Sequence, residues 1–462
     1  MDYKNIKTYE DWKYKSLVPM SSGYEEDFPI FEKCKLNKLL DISEEEKENL
    51  FLGIFKIYRD KNYYPIFYFN EDGIQKEIIR CVERDVFINN NVITSKFNQG
   101  SGLLKFMFPN IHKSYYGNVG DVFINAFDKF YDDKMLIDIV RFQSQYDSPI
   151  PSRVLSASNL YRTRTPSNFS PMRAKAIFEK YCPVNGVVYD FSCGWGGRML
   201  GALTSKNNYK YVGVEPNSET FNNLNILGKY VETVLKRKNS FSIYKECSED
   251  FVLEKSSIDF AFSSPPYFNL EKYCDEGTQC YNKFPEIESW FNNYVVKTIE
   301  NIHIGLKDNG YYAVNIADFN LSPIKKIYLV DRWIEISEKI GFDFVEMISM
   351  KLGNRGGKKR KGQTGGFNKK EEGVYVFKKV DEKLKRDYSD RKLPQYMEKE
   401  LLFYSKHKRE CLRIENEFLS WYSANSEKIL NDKEILLELK NINNDDDDYL
   451  NAKRNLNKLL KN

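Results

Sequence analysis

The run Ser263-Ser264-Pro265-Pro266-Tyr267-Phe268 combines residue types suited to holding an amino group. Two consecutive prolines have no N–H to donate, so a β-ladder stops there and their rigid carbonyls are left as acceptors. Ser264 adds a side-chain oxygen, and Tyr267 adds a flat face on which a ring can stack. Acceptors arranged in this way take both N–H bonds of an exocyclic amino group. They pull it out of conjugation with its ring and aim its lone pair at an electrophile. A strand-ending turn accounts for the prolines, but not for the whole combination.

Three further constellations lie upstream. The first, DFSCGWGGR (190–198), follows the strand-like VVY and precedes the helix-prone MLGAL. In a parallel sheet such a turn lies at the carboxyl ends of the strands, where ligands bind, and its glycines let backbone approach a ligand closely. It is not a GxGxxG fingerprint, because Met199 stands at the last glycine position, nor a P-loop, because Gly197 is followed by Arg198. An ordinary tight strand-to-helix turn remains the plain alternative. The second is Glu215, at the tip of YVGVE, where a carboxylate can accept from both hydroxyls of a ribose; an acid ahead of Pro216 also suits a helix start. The third, Cys247-Ser248-Glu249-Asp250, is a polar cluster able to meet an adenine amino group, or equally a helix N-cap.

These residues fall at the ends of regularly spaced elements. Strand-like runs occur at 187–191, 211–215, 241–246, 258–264, 311–317, 344–350 and 374–378, with helix-length segments between most of them. Ile287, Trp290, Phe291, Tyr294, Thr298, Ile302 and Leu306 recur at spacings of three and four, which predicts one buried face of a helix over 286–306. A second helix is predicted over Lys325–Ile340, stopped by Gly341. The alternation argues a mostly parallel sheet flanked by helices, and the hairpin between the last two runs reverses the final strand.

DFSCGWGG, the strand-tip Glu215 and SSPPY, in that order on successive strands, resemble the amino-methyltransferases that use S-adenosylmethionine to methylate exocyclic nitrogens of adenine or cytosine, chiefly in DNA. The resemblance implies a Rossmann-like class I methyltransferase sheet of seven strands with the last antiparallel. It also implies a cofactor site in which Asp190, Ser192, Gly194 and Gly196 lie along the methionine and ribose, Glu215 holds the ribose hydroxyls, and Ser248 or Glu249 sits near the adenine. Ser264, Pro265, Pro266 and Tyr267 would hold the target base. PSNFSP (166–171), with Asn168 and Phe169, is more loosely similar to the family's additional cofactor segment. Serine at 264 is common among cytosine-N4 enzymes, while many adenine enzymes have Asp or Asn there, so the base stays open. Trp195 and Arg198 are unusual in the glycine turn. The resemblance spans residues 166–378 and leaves the first 150 unexplained.

The 462 residues, 41% hydrophobic and 29% charged, exclude a wholly disordered chain. No apolar run approaches a membrane span, no signal peptide is read at the start, and a cytoplasmic protein is expected. Eight scattered cysteines without a CxxC pair indicate neither a zinc site nor a disulfide framework. Composition divides the chain into three: residues 1–150, an N-terminal domain of unassigned role with substrate recognition as one reading, 151–380, which the resemblance makes the methyltransferase domain, and 381–462, a charged helical C-terminal extension. The net charge of +4 declares no partner, but eight basic residues and no acidic one lie between Lys351 and Lys370. Of these, Arg355, Lys358, Lys359, Arg360 and Lys361 are read as contacts to a nucleic-acid backbone, with a solvated hairpin as the alternative. A base in a duplex must flip to reach such a site, unless the substrate is single-stranded. No metal is required, and tyrosine after the prolines, where a cytosine-C5 enzyme needs cysteine, excludes that class. The same chemistry on RNA or a protein amide, a nucleic-acid-binding module without turnover, and an unrelated α/β cofactor binder are the other readings.

Overall fold

A computed structural model describes residues 17–19, 25–61, 64–66, 69–93, 98–116, 125–161, 165–320, 326–351, 371–380 and 399. The strands β1 (Leu17–Pro19) and β2 (Tyr64–Ile66) pair in parallel beside a helical cluster whose core includes Phe31, Tyr58, Phe130 and Val154. Next come β3 (Val92–Ile93) and β4 (Tyr115–Tyr116), then β5 (Val187–Asp190), β6 (Lys210–Val214), β7 (Phe241–Tyr244) and β8 (Ile258–Ser263). A short strand, β9 (Glu271–Lys272), pairs antiparallel with β4. It is followed by β10 (Leu306–Ile316), β11 (Phe319–Asn320), β12 (Lys326–Ile327), β13 (Phe342–Lys351) and β14 (Glu371–Lys379).

Eight of these form one sheet, in the order β3-β13-β14-β10-β8-β5-β6-β7. The pairings β5–β6, β5–β8, β6–β7 and β8–β10 are parallel, and β14 runs antiparallel to β13. All seven strand-like runs are strands of this Rossmann-like α/β sheet, with the last one reversed. The eighth, β3, was not anticipated. Two residues carry no period, and its place beside β13 is set by long-range pairing of Val92 with Ser349 and Ile93 with Met350.

Most connections between the strands are helical. The helix Pro171–Tyr181 precedes β5, Gly197–Leu203 follows it, and Ser218–Leu235 follows β6. The predicted buried face over 286–306 is real, but the helix is interrupted by a π-helical turn at Phe291–Val295 between Ile287–Trp290 and Val296–Gly305. One core joins Ile74–Ile111 of the N-terminal part to Val188, Leu200, Phe260 and Ile348 of the sheet region. Among the described residues, a second compact unit comprises 316–320, 326–341 and 399. Its described part holds the β11–β12 hairpin and the helix Leu329–Ile340. That helix starts at Leu329 rather than Lys325, because Lys326 and Ile327 pair into β12 and the Asp318 carboxylate accepts the N–H of Val330 at 3.2 Å in the first turn.

One carboxylate ties the central strands together. Asp190 ends β5, fully buried, and accepts from Arg198 Nε at 2.8 Å, Tyr211 Oη of β6 at 2.7 Å and Ser263 Oγ of β8 at 2.8 Å. The N–H of Ser192 adds a longer bond at 3.2 Å. Removing one member of a buried ion pair strands the other charge in low dielectric. Asp190→Asn, which leaves the buried Arg198 uncompensated, is therefore expected to lower unfolding free energy by about 3 kcal/mol or more in denaturant titrations. A loss below about 1 kcal/mol would show that the pair holds nothing together.

Candidate functional site

A cavity of about 530 Å³ opens at the carboxyl ends of β5, β6, β8 and β10, within the range of small-molecule sites. Its wall carries Phe169, Ser192, Gly194, Trp195, Glu215, Ser248, Glu249 and the whole run Ser264–Tyr267. Residues remote in sequence are thus brought to one space: most follow the end of a strand, and Phe169 comes from the segment ahead of the helix Pro171–Tyr181.

The first part of the wall is built on the glycine turn. Gly194 has φ +54°, and a Cβ built there would meet no atom of the chain closer than Ser192 O at 4.0 Å. The turn is therefore open on that side, and a left-handed backbone is available to glycine at little cost. The N–H of Gly194 donates to Glu215 Oε2 at 2.8 Å, and that of Asn217 donates to Oε1 at 3.0 Å. Burial nevertheless raises the Glu215 carboxyl to about 7, these backbone bonds opposing the shift. It is a desolvated acceptor with lone pairs to spare. Gly197 is a different case: a Cβ there would lie 2.0 Å from Phe169 O, so this glycine lets segment 167–170 close onto the turn. Asn168 fixes that closure by donating Nδ2–H to Trp195 O at 2.6 Å.

Ser248 and Glu249 complete this end of the cavity. The Ser248 hydroxyl is 2.9 Å from Thr298 Oγ1, and Asn301 Nδ2 donates to the Ser248 carbonyl at 3.0 Å. Glu249 is paired with Lys283 at 2.5 Å, an ammonium it shares with Asp250 at 2.7 Å. The π turn carries Tyr294 to the wall, its hydroxyl 3.2 Å from Ser192 Oγ; such turns recur at functional sites.

Around Ser264 the hydrogen bonds have a direction. Asn315 Nδ2 donates to Gly373 O at 2.9 Å, which leaves Asn315 Oδ1 as the acceptor for the Ser264 hydroxyl at 3.2 Å. The Ser264 proton is therefore committed, and its oxygen faces the cavity as an acceptor only. Neither proline carbonyl of Pro265-Pro266 accepts a backbone hydrogen bond among the described residues. The Tyr267 hydroxyl donates to Asn315 O at 3.0 Å, with Glu372 Oε1 at 3.4 Å. The result is a set of acceptors beside an anchored aromatic ring.

Two of the residues assigned by resemblance are not on the wall. Asp190 lies beneath it, with its carboxylate used by Arg198, Tyr211 and Ser263. Gly196, at φ +70°, faces the core, where a Cβ would meet Leu227 and Phe108 at 2.9 Å. Both shape the site from behind rather than line it. Arg355, Lys358, Lys359, Arg360 and Lys361 lie outside the described residues. The wall also holds residues that the motifs did not single out: Asn315, Glu271, Tyr273, Glu372 and Arg173, and from the N-terminal part Asn98, Ser101 and Asn110. Only Asn315 left a local sign, a polar residue inside the apolar run YYAVNIA.

No protein-family model and no curated protein matches the chain. Solved structures that it is similar to include a methyltransferase from Pyrococcus furiosus, at 14% identity and TM-score 0.31 over 46% of this chain and 83% of that one. Another is the Burkholderia thailandensis 1,6-didemethyltoxoflavin-N1-methyltransferase with its substrate and S-adenosylhomocysteine bound, at 12% identity and TM-score 0.29 over 46% and 78%. A third is a putative rRNA-methylase from Clostridium thermocellum, at 10% identity and TM-score 0.27 over 47% and 99%. The α/β class of this chain is carried by its own strand order. No helix among the described residues is long and apolar enough to cross a membrane.

Exclusion of water raises the Glu271 carboxyl from 4.5 to about 7, against the hydrogen bond from Tyr273. The native state thus holds this proton more tightly than the unfolded chain, and stability falls as pH rises through that window. Glu271→Gln should be more stable than the parent at pH 8 by roughly 1–3 kcal/mol, with the difference gone by pH 4. A difference independent of pH in denaturant unfolding would contradict this environment.

Proposed function

We propose that this protein is an S-adenosylmethionine-dependent methyltransferase acting on the exocyclic amino group of a base in DNA, at N4 of cytosine or N6 of adenine. One observation carries the reading. A desolvated strand-tip carboxylate beside an open glycine turn, and an acceptor set beside a tyrosine, share a single cavity of about 530 Å³. Either half alone has ordinary explanations; a methyl donor and an amino acceptor need both within reach of one another.

The residues present fit the cofactor. Glu215 offers lone pairs to ribose hydroxyls, Gly194 leaves the space that a side chain would fill, and Trp195, Phe169 and Tyr294 supply aromatic wall. When bound, S-adenosylmethionine would supply an electrophilic methyl carbon on its sulfonium, the C–S pair returning to sulfur as the amino nitrogen takes the methyl and one N–H proton leaving to solvent. The chain's own part is positioning and charge stabilisation. Ser264 Oγ and the proline carbonyls accept the amino N–H bonds, which keeps the lone pair out of the ring and stabilises positive charge developing on nitrogen. Tyr267 stacks the base, with its hydroxyl anchored on Asn315.

DNA as the substrate follows from the resemblance of the SSPPY run to base amino-methyltransferases. RNA and protein amides are the outcomes of testing that would displace it.

The two halves of the site should separate in experiment. Tyr267→Ala is expected to lose methyl transfer while calorimetry finds its S-adenosylmethionine affinity within a few-fold of the parent. Glu215→Ala is expected to weaken that affinity by about 1.5–3 kcal/mol, the range for a charge-assisted hydrogen-bonded group. Equal loss of both properties in Tyr267→Ala removes the stacking role, and unchanged affinity in Glu215→Ala removes Glu215 from the cofactor site.

A further inference from the structure

Four glutamates line the cavity, and three have evident compensation. Glu215 accepts two backbone N–H groups, Glu249 is paired with Lys283 at 2.5 Å, and Glu372 shares its wall with Arg173, whose charge favours its ionised form. Glu271 differs. Its only side-chain hydrogen bond among the described residues comes from the Tyr273 hydroxyl to Oε2, and no cation is paired with it. Among the described residues its second oxygen has no hydrogen-bond partner.

This side chain is nevertheless placed with care. The N–H of Leu270 donates to Tyr267 O at 3.1 Å, and Phe268 adopts φ +52°, so the chain turns back directly after the tyrosine. Glu271 then enters β9, where its backbone is registered against Tyr116. The turn returns a carboxyl to the cavity four residues after the aromatic ring that would hold a base. Glu271 is half-buried on the cavity wall, and desolvation there with no opposite charge favours its protonated form. Glu372, on the facing strand end, adds repulsion in the same sense.

Cytosine and adenine share one feature at the edge to be methylated: the amino group stands next to a ring nitrogen that accepts a hydrogen bond. Ser264 and the proline carbonyls are all acceptors, so they match the amino group and leave the ring nitrogen without a donor. A carboxylic acid supplies that donor. We propose that Glu271, as the neutral acid, donates a hydrogen bond to the ring nitrogen flanking the methylated amino group, and so reads the base. The inference rests on the amino-methyltransferase reading above. It assigns a specificity role to a residue outside the SSPPY run. Tyr267, Tyr273, Arg173 and Glu372 are the other titratable or charged groups on this part of the wall.

The test uses the full chain with methyl-labelled S-adenosylmethionine and mixed-sequence oligonucleotides. These contain either the natural bases or their ring-nitrogen-deleted analogues, 1-deazaadenine and 3-deazacytosine. The parent should discriminate against the analogue of its target base by about tenfold or more in kcat/KM, since a site built for a hydrogen bond rejects a ligand that lacks it. Glu271→Ala should lose about tenfold on the natural base and no longer discriminate. Glu271→Gln keeps a donor beside an acceptor and should stay within about threefold of the parent. Discrimination by Glu271→Ala as strong as the parent's overturns the inference, as does Glu271→Gln falling as far as Glu271→Ala. Both leave the methyltransferase reading standing. Absence of label on any base with the parent protein would instead overturn that reading, and this inference with it.

Discussion

The site depends first on the buried carboxylate of Asp190. Its bonds to Tyr211, near the start of β6, and to Ser263, the last residue of β8, tie both neighbours to the end of β5, and its pairing with Arg198 pins the start of the helix that follows. Three adjacent strands and one helix are thereby tied to a single group. Glu215 follows the first of these neighbours and Ser264 the second, so the strands that carry the two halves of the cavity share this one buried group. This accounts for an aspartate in the glycine turn without asking it to touch a ligand.

From that anchor the two halves follow by simple local rules. On one side the turn closes under segment 167–170 because Gly197 has no side chain, and it opens toward Glu215 because Gly194 has none. On the other side the proline pair ends β8 and frees its carbonyls, while Asn315 from β10 turns Ser264 into a pure acceptor. Charge is handled differently at the two ends. Glu249 is neutralised by a lysine, whereas Glu215, Glu271 and Glu372 are all raised by burial. Acids raised in this way can serve as donors as well as acceptors.

Much of this was legible in the sequence because it is local. Seven strand runs, the long helix with its buried Trp290 and Tyr294, and the turns bearing Gly194, Glu215 and Ser264 are fixed by periodicity and by Gly and Pro. What escaped was long-range. Glu271 and Glu372 stand in polar surroundings with no motif, and only the return turn after Tyr267 and the β13–β14 hairpin bring them together. Asn98, Ser101 and Asn110 reach the cavity wall from a region whose sequence names no site. Asp190 and Gly196 lie behind the cavity wall rather than on it, a distinction that spacing in the sequence does not carry.

The central claim is that one cavity brings a methyl donor to an amino group of a DNA base. The most direct measurement incubates the purified protein with methyl-labelled S-adenosylmethionine and unmodified mixed-sequence DNA, then digests the DNA to nucleosides for mass spectrometry, with the Ser264→Ala, Tyr267→Ala double variant as the blank. Labelled N4-methylcytosine or N6-methyladenine, absent from the blank, is the predicted result and names the base. Unlabelled DNA from a protein that still binds S-adenosylmethionine would contradict the claim and shift the substrate to RNA or protein.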